Sequence, residues 1–301
     1  MSEISHDGRV VIVTGAGGGL GRAHALLHAE RGAKVVVNDL GGTRDGQGGD
    51  ASMADQVVAE ITDAGGTAVA SYDGVDTFEG ATNLVQTALD AFGRVDAVVN
   101  NAGILRDRSM KKMTPEDFDQ VLKVHTYGSW NVVKAAWEHL LDSGSGRIVN
   151  TTSGAGLYGN FGQANYSSAK NALVGMARTL AAEGAKYGLK ANVIAPIAWS
   201  RMTDDIFPEA LQDRLGPETV APLVAYLTSP QCDDTGRIYA VGGGQISRVA
   251  TFESPGRNLG TTHTIEDVAA AWDEIGDMSE GVEVENAGGH AGKIMAAVTG
   301  S

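Results

Sequence analysis

The sequence predicts an α/β fold: a doubly wound parallel sheet of Rossmann type, with helices on both faces and a C-terminal extension. Three observations carry that expectation. Short runs rich in valine, isoleucine and alanine alternate with longer helical stretches along most of the chain, the rhythm of a parallel sheet covered by helices. Several short runs are almost continuously apolar, as strands buried on both faces are. A glycine cluster, Gly15 to Gly21, lies directly between the first such run and the first helical stretch.

Strands are expected at residues 10–13, 34–38, 67–72, 95–99, 147–151, 190–195 and 237–241. Helices are expected between them at 20–31, 51–64, 77–91, 163–187 and 217–228. Asp50 is placed to cap the second of these. Another helix opens at Thr114, with Pro115 in its first position and Glu116 and Asp117 in its first turn, a pattern that satisfies free N–H groups and suits the helix dipole. A polar, glycine-rich loop occupies residues 41–50. Residues 1–244 read as one nucleotide-binding and catalytic domain, and 245–301 as an extension packed on it. The extension holds one clear helix, 265–275, opened by Thr264 with Asp267 three residues later. Gly288, Gly289 and Gly292 predict weak structure beyond it.

Composition narrows the function classes. The chain has 301 residues, 43% hydrophobic and 20% charged, enough to bury a core without covalent staples. Cys232 is the one cysteine, so no intramolecular disulfide forms, which fits a reducing compartment. The net charge of −14 argues against nucleic acid and anionic membranes as partners. The first residues are polar and unlike a signal peptide. No run is long enough to insert in a membrane, and the final Val-Thr-Gly-Ser is not a peroxisomal address. A cytoplasmic location is expected by elimination. The seven histidines show no paired-ligand spacing, so no metal is expected.

The glycine cluster points to a phosphate ligand. Gly15, Gly19 and Gly21, with Leu20 between the last two, do not follow the widely quoted G-x-G-x-x-G spacing. Their place between strand and helix still lets the backbone approach a pyrophosphate at a helix N-terminus. Asp39 ends the second strand, where a carboxylate bonds ribose hydroxyls and repels a ribose phosphate. Leu40, Gly41 and Gly42 supply no base to offset it, so NAD is expected over NADP. Asp73, followed by Gly74, ends the third strand and is in position for an adenine amine. Asn100-Asn101-Ala102-Gly103 ends the fourth strand, on the side where parallel sheets bind ligands; Asn100, Ala102 and Gly103 are taken as cofactor contacts.

A proton-transfer set follows. Ser153 comes after the fifth strand. Tyr166 and Lys170 lie four apart on the long helix, hence on one face. A phenol is a weak base at its usual pKa of about 10. A neighbouring ammonium and an oxidised nicotinamide are expected to favour the phenolate. Tyr166 then takes the proton of a substrate alcohol, and Ser153 positions the oxygen.

Together these motifs resemble the short-chain dehydrogenase/reductase family over roughly residues 8 to 244. A closer likeness runs through 35–42, 104–109, 136–139 and 158–166, to the dehydrogenase part of the peroxisomal multifunctional enzymes of type 2. That resemblance implies NAD-dependent oxidation of a secondary alcohol, (3R)-hydroxyacyl-CoA to 3-ketoacyl-CoA, with hydroxysteroid oxidation as the alternative. A non-catalytic NAD-sensing regulator is the remote one. Tyr166 and Lys170 would also touch the cofactor, and Pro196, Ile197 and Met202 would wrap the nicotinamide. Two departures stand out. His125 occupies the place of an asparagine that supports a water relay to the lysine in many members, and Ile197 replaces the glycine that often follows the proline. The resemblance also implies a homodimer or homotetramer through the long helix, where Ala169, Ala172, Gly175, Ala177, Ala181, Ala182 and Ala185 allow close approach. Met202, Ile206, Phe207 and Leu211 make the loop 201–216 suited to an apolar substrate. Arg106, Arg108, Lys111 and Lys112 cluster where CoA phosphates would enter.

Overall fold

Strand β1 (Val10–Thr14) is buried along its whole length, and its side chains alternate between two core layers. Val11 and Val13 join one layer, Val10 and Ile12 the other, as the two-residue period of a strand requires. In the computed structural model, which describes residues 3–199 and 208–299, β1 pairs in parallel with β2 (Lys34–Asn38) on one side and β4 (Ala97–Asn100) on the other. Strands β3 (Thr67–Ser71), β5 (Arg147–Thr151), β6 (Lys190–Pro196) and β7 (Ile238–Gly242) continue the parallel pairing. With β8 (Gln245–Val249) the order is β3-β2-β1-β4-β5-β6-β7-β8. The order reverses between β1 and β4, so a crevice opens there at the carboxyl ends of the strands.

Helices α1 (Gly19–Glu30), α2 (Ser52–Asp63), α3 (Phe78–Phe92), α4 (Pro115–Leu122), α5 (Gly128–Asp142), α6 (Gly154–Tyr158), α7 (Ala164–Gly184) and α8 (Ala221–Thr228) alternate with the strands. Ala25, Val57, Ile61, Val224 and Leu227 bring α1, α2 and α8 onto one face. Leu84, Ala88, Val132, Ala136 and Leu140 bring α3 and α5 onto the other. The sheet is thus covered on both sides, which is why its strands are apolar throughout.

Local signals account for most helix starts. Thr77 caps α3 by accepting a hydrogen bond from the Gly80 N–H, and Thr114 forms a reciprocal capping box with Asp117. The α2 helix begins one residue later than expected, yet Asp50 still accepts from the Ser52 N–H at 3.0 Å. The expected helix at 217–228 is a 3₁₀ turn, Pro217–Thr219, followed by α8. A π-helical turn, Lys123–Tyr127, joins α4 to α5.

The chain divides into two compact units, Met1–Ser247 and Arg248–Ser301. Within the second, β9 (Phe252–Glu253) pairs antiparallel with β10 (Val282–Glu283). The expected helix at 265–275 breaks at Ala271 into α9 (Ile265–Ala270) and α10 (Trp272–Gly276). The weak structure expected around Gly288, Gly289 and Gly292 is corrected: all three lie in α11 (Ala287–Thr299). Asn286 accepts from the Gly289 N–H at 2.9 Å, and the following Lys-Ile-Met-Ala-Ala run favours helix enough to offset glycines costing about 1 kcal/mol each. Among the described residues, no helix is long and apolar enough to cross a membrane.

Candidate active site

The turn from β1 to α1 is built from backbone. Gly15 and Gly19 have φ of +64° and +52°, conformations that side-chain-bearing residues rarely adopt. A Cβ on Gly21 would stand 2.1 Å from the Gly15 carbonyl oxygen, so only glycine lets the helix start this close to the turn. The result is a bare backbone cradle at a helix N-terminus, whose free N–H groups fit a pyrophosphate. Gly15, Gly19, Leu20, Asp39, Asp73, Gly74, Ala102 and Gly103 line a cavity of about 260 Å³ along this crevice.

Asp39 faces the turn. Its carboxylate accepts from the Gly17 N–H at 2.8 Å and the Gly41 N–H at 2.7 Å, which holds it at the cavity wall. Asp73 accepts from the Ser71 hydroxyl at 3.1 Å and the Asn83 amide at 3.3 Å. Asn100 lies elsewhere. Its side chain is buried, with the amide donating to Asn150 at 2.9 Å and the oxygen left without a partner. Asn101, which sequence reasoning passed over, lines the cavity instead and donates to the Thr14 and Gly15 carbonyls, each at 3.0 Å. Asn100 is the last residue of β4 and stays buried in the sheet, whereas Asn101 follows the strand and lines the cleft.

The glycine-rich loop 41–50 was also left without a role. Gly42, Thr43, Arg44 and Gly46 form one wall of the cavity. The loop is tied across the crevice, because the Leu105 N–H donates to the Arg44 carbonyl at 2.9 Å and the Arg106 Nε to the Asp45 carbonyl at 3.0 Å. No local pattern announces this wall, since its partners are distant in sequence.

Ser153, Tyr166 and Lys170 come together at the end of β5. Ser153 caps α6, its Oγ accepting from the Gly156 N–H at 3.0 Å. Gly156 lets α6 approach α7, as a Cβ there would stand 2.7 Å from the Lys170 Cβ. The Ser153 hydroxyl acts on the Tyr166 phenol in the direction that favours the phenolate. Lys170 is buried, donates from Nζ to the Thr151 carbonyl at 2.7 Å, and lies 5.6 Å from the Tyr166 ring centroid. Burial dominates both groups. It pushes the Tyr166 phenol up to about 12, against the Ser153 hydroxyl and with help from Asp107. It pushes the Lys170 ammonium down to about 7. The lowering expected for the phenol is therefore absent from the protein alone, because both charged forms lose hydration.

His125 sits in the π-helical turn, with its ring edge-on to Tyr166 at 5.3 Å between centroids. Its Nε2 is 2.9 Å from the Ile104 carbonyl, while its buried Nδ1 has no hydrogen-bond partner. Burial first, and the Lys170 charge second, hold its pKa well below the usual histidine range. Gly103 makes room for it: a Cβ there would stand 2.3 Å from the His125 Cε1. Pro196 ends β6, and the Ile197 N–H donates to the Val241 carbonyl at 2.8 Å. Neither residue lines the cavity beside the turn. Met202, with Ile206 and Phe207, lies outside the described residues.

The family model of the short chain dehydrogenases matches residues 9–209. A short-chain type dehydrogenase/reductase of Mycobacterium tuberculosis is 56% identical over 271 residues, covering 90% of this chain and 95% of that protein. A second protein of that organism, named hydroxyacyl-CoA dehydrogenase, is 38% identical over 259 residues, covering 81% of this chain and 80% of its own length. The structure of full-length peroxisomal multifunctional enzyme type 2 from Drosophila melanogaster superposes with a TM-score of 0.84 at 38% identity, over 99% of this chain. The chain spans 50% of the length of that enzyme.

Proposed function

Because this chain belongs to the short-chain dehydrogenase family and is an oxidoreductase acting on CH–OH groups, we propose that it oxidises (3R)-hydroxyacyl-CoA to 3-ketoacyl-CoA with NAD, as a dimer or tetramer. The observation that carries the reading is buried Lys170 one helical turn from Tyr166, its Nζ 5.6 Å from the phenol ring centroid, with the Ser153 hydroxyl acting on the same phenol. A relative named for hydroxyacyl-CoA oxidation supports the substrate class.

In this reading Gly15, Gly19, Leu20, Gly21, Ala102 and Gly103 hold the diphosphate side of the cofactor. Asp39 takes the ribose hydroxyls, Asp73 and Gly74 the adenine, and Pro196, Ile197 and Met202 the nicotinamide. When bound, NAD supplies the hydride acceptor. Everything else falls to the chain. The Tyr166 oxygen takes the proton of the substrate hydroxyl as its carbon is oxidised. The Ser153 hydroxyl donates to the same substrate oxygen and fixes its direction. Lys170, when protonated, favours the phenolate. The hydride leaves one face of the carbon while one fixed phenolate receives the proton, so one enantiomer is accepted.

NADH absorbance tests this with (3R)- and (3S)-hydroxyacyl-CoA and a 17β-hydroxysteroid. The (3R) thioester should give the highest kcat/KM, and Tyr166→Phe should leave no more than a few per cent of that rate while still binding NADH. A higher kcat/KM for the (3S) thioester or the steroid refutes the acyl-CoA reading. A fully active Tyr166→Phe refutes the role of Tyr166.

A further inference from the structure

The four cations that follow β4 do not act alike. Arg106 is engaged inside the fold: its Nε donates to the Asp45 carbonyl and its guanidinium lies 3.9 Å from Glu116. Arg108 is exposed, and its guanidinium, among the described residues, bonds only the carbonyl of Asp107, at 2.9 Å. Lys111 and Lys112 are exposed, and no carboxylate among the described residues pairs with either. The nearby acids are turned to other work. Asp107 accepts from the Gln163 amide at 2.7 Å, and Asp117 closes the α4 capping box. Three uncompensated cations within five residues are notable in a chain of net charge −14.

Their place is set by the backbone. The Arg108 N–H donates to the Gly162 carbonyl at 2.9 Å, and the Asn165 amide donates to the Arg106 carbonyl at 2.9 Å. Residues 106–108 are thereby fastened to the connection between α6 and α7 at Gly162 and to the first turn of α7 at Asn165, next to Tyr166. The Lys112 and Met113 N–H groups both donate to the Ser109 carbonyl, at 2.8 and 2.9 Å, which holds the following turn in shape. Large apolar side chains stand on these same two segments: Met110 is 80% exposed, Tyr158 75% and Phe161 90%. Single exposed apolar residues are ordinary, but a group of them rimmed by charge marks a binding surface.

We propose that Arg108, Lys111 and Lys112, with Met110, Tyr158 and Phe161 beside them, seat the phosphate-bearing nucleotide end of a CoA thioester outside the catalytic site. The inference rests on the acyl-CoA reading and adds where that substrate is held. Phosphates match the cations, and the adenine and pantetheine match the apolar side chains. A steroid has no group that would use the cations.

The test compares the wild type with the triple variant Arg108→Glu, Lys111→Glu, Lys112→Glu and with Phe161→Ser. Each is given a (3R)-hydroxyacyl-CoA and the same acyl group on N-acetylcysteamine, which lacks the nucleotide. The ratio of kcat/KM for the CoA thioester over the truncated thioester should fall about tenfold or more in the triple variant, through KM. It should fall less in Phe161→Ser. Free CoA titrated by calorimetry should bind the wild type and lose affinity in the triple variant. An unchanged ratio with unchanged CoA affinity overturns the seat even if the oxidation stands. CoA binding that depends on these cations, without turnover of the thioester, overturns the oxidation and keeps the seat. Equal loss on both thioesters shows a folding effect and also counts against the seat.

Discussion

At the scale of single residues, the proposed preference for NAD rests on Asp39. Its carboxylate is held by the Gly17 and Gly41 N–H groups, so it reaches the cavity as a fixed negative charge. A fixed charge of this kind bonds ribose hydroxyls and repels a ribose phosphate. Asp39→Ala is expected to raise the KM for NAD about tenfold, the value of a charge-assisted hydrogen bond, and to raise relative use of NADP. Comparing kcat/KM for the two cofactors checks this. An unchanged ratio would make Asp39 a turn residue only. His125 and Gly103 illustrate coupling at the same scale, because the imidazole beside Tyr166 is accommodated only where the neighbouring residue lacks a Cβ.

At the scale of elements, α7 carries two faces. Ala169, Ala177 and Ala181 are buried within the chain, whereas Ala172, Gly175 and Ala182, with Ala185 just past the helix end, are exposed. Nothing lies within 4 Å of a Cβ built on Gly175. The outward face is therefore a small-residue surface on which a second helix can approach closely. Self-association through it is expected, and light scattering at micromolar concentration should give a multiple of the 31.1 kDa chain mass. Gly175→Glu should shift that mass toward one chain. A wild-type mass of one chain would contradict the expectation.

At the scale of the whole molecule, three of the four buried histidines, those away from Tyr166, make stability depend on acidity. His28 lies 2.7 Å from the Thr228 hydroxyl, His6 lies 3.0 Å from the Ala225 carbonyl, and their rings are 5.0 Å apart. They bind the N-terminal segment, α1 and α8 together. His24 is fully buried, and neither of its ring nitrogens has a hydrogen-bond partner among the described residues. Burial pushes His6 down to about 4, and His24 and His28 down to about 3. An unfolded histidine titrates near 6.5, so above that pH neither state takes a proton and these groups add no pH dependence. Below it the unfolded chain takes up protons that the native chain refuses, and stability is lost as pH falls toward the folded values. The loss is on the order of 4 kcal/mol per pH unit when all three take part. Urea unfolding at pH 7, 6 and 5 reads this directly. His24→Leu should reduce the slope by about 1.4 kcal/mol per pH unit, and an identical slope would rule the cluster out as its source.

The strand pattern, the helix caps and the order of motifs were legible in the sequence because each depends on residues close together in the chain. The strands at 34–38 and 147–151 match their observed bounds. Thr114 caps its helix through a residue three positions on, and Tyr166 and Lys170 share a face because a helix turns every 3.6 residues. Tertiary structure alone decided the rest. Asn101 rather than Asn100 reaches the cleft because the Asn100 amide is buried, donating to the Ser129 carbonyl of α5 and to Asn150 of β5. The loop 41–50 becomes a cavity wall only through Leu105 and Arg106. Arg106 and Arg108 part company because one meets that loop and the other meets solvent. The opposed shifts of Tyr166 and Lys170 follow from desolvation, which sums the burial contributed by elements far apart in sequence and is carried by no local pattern.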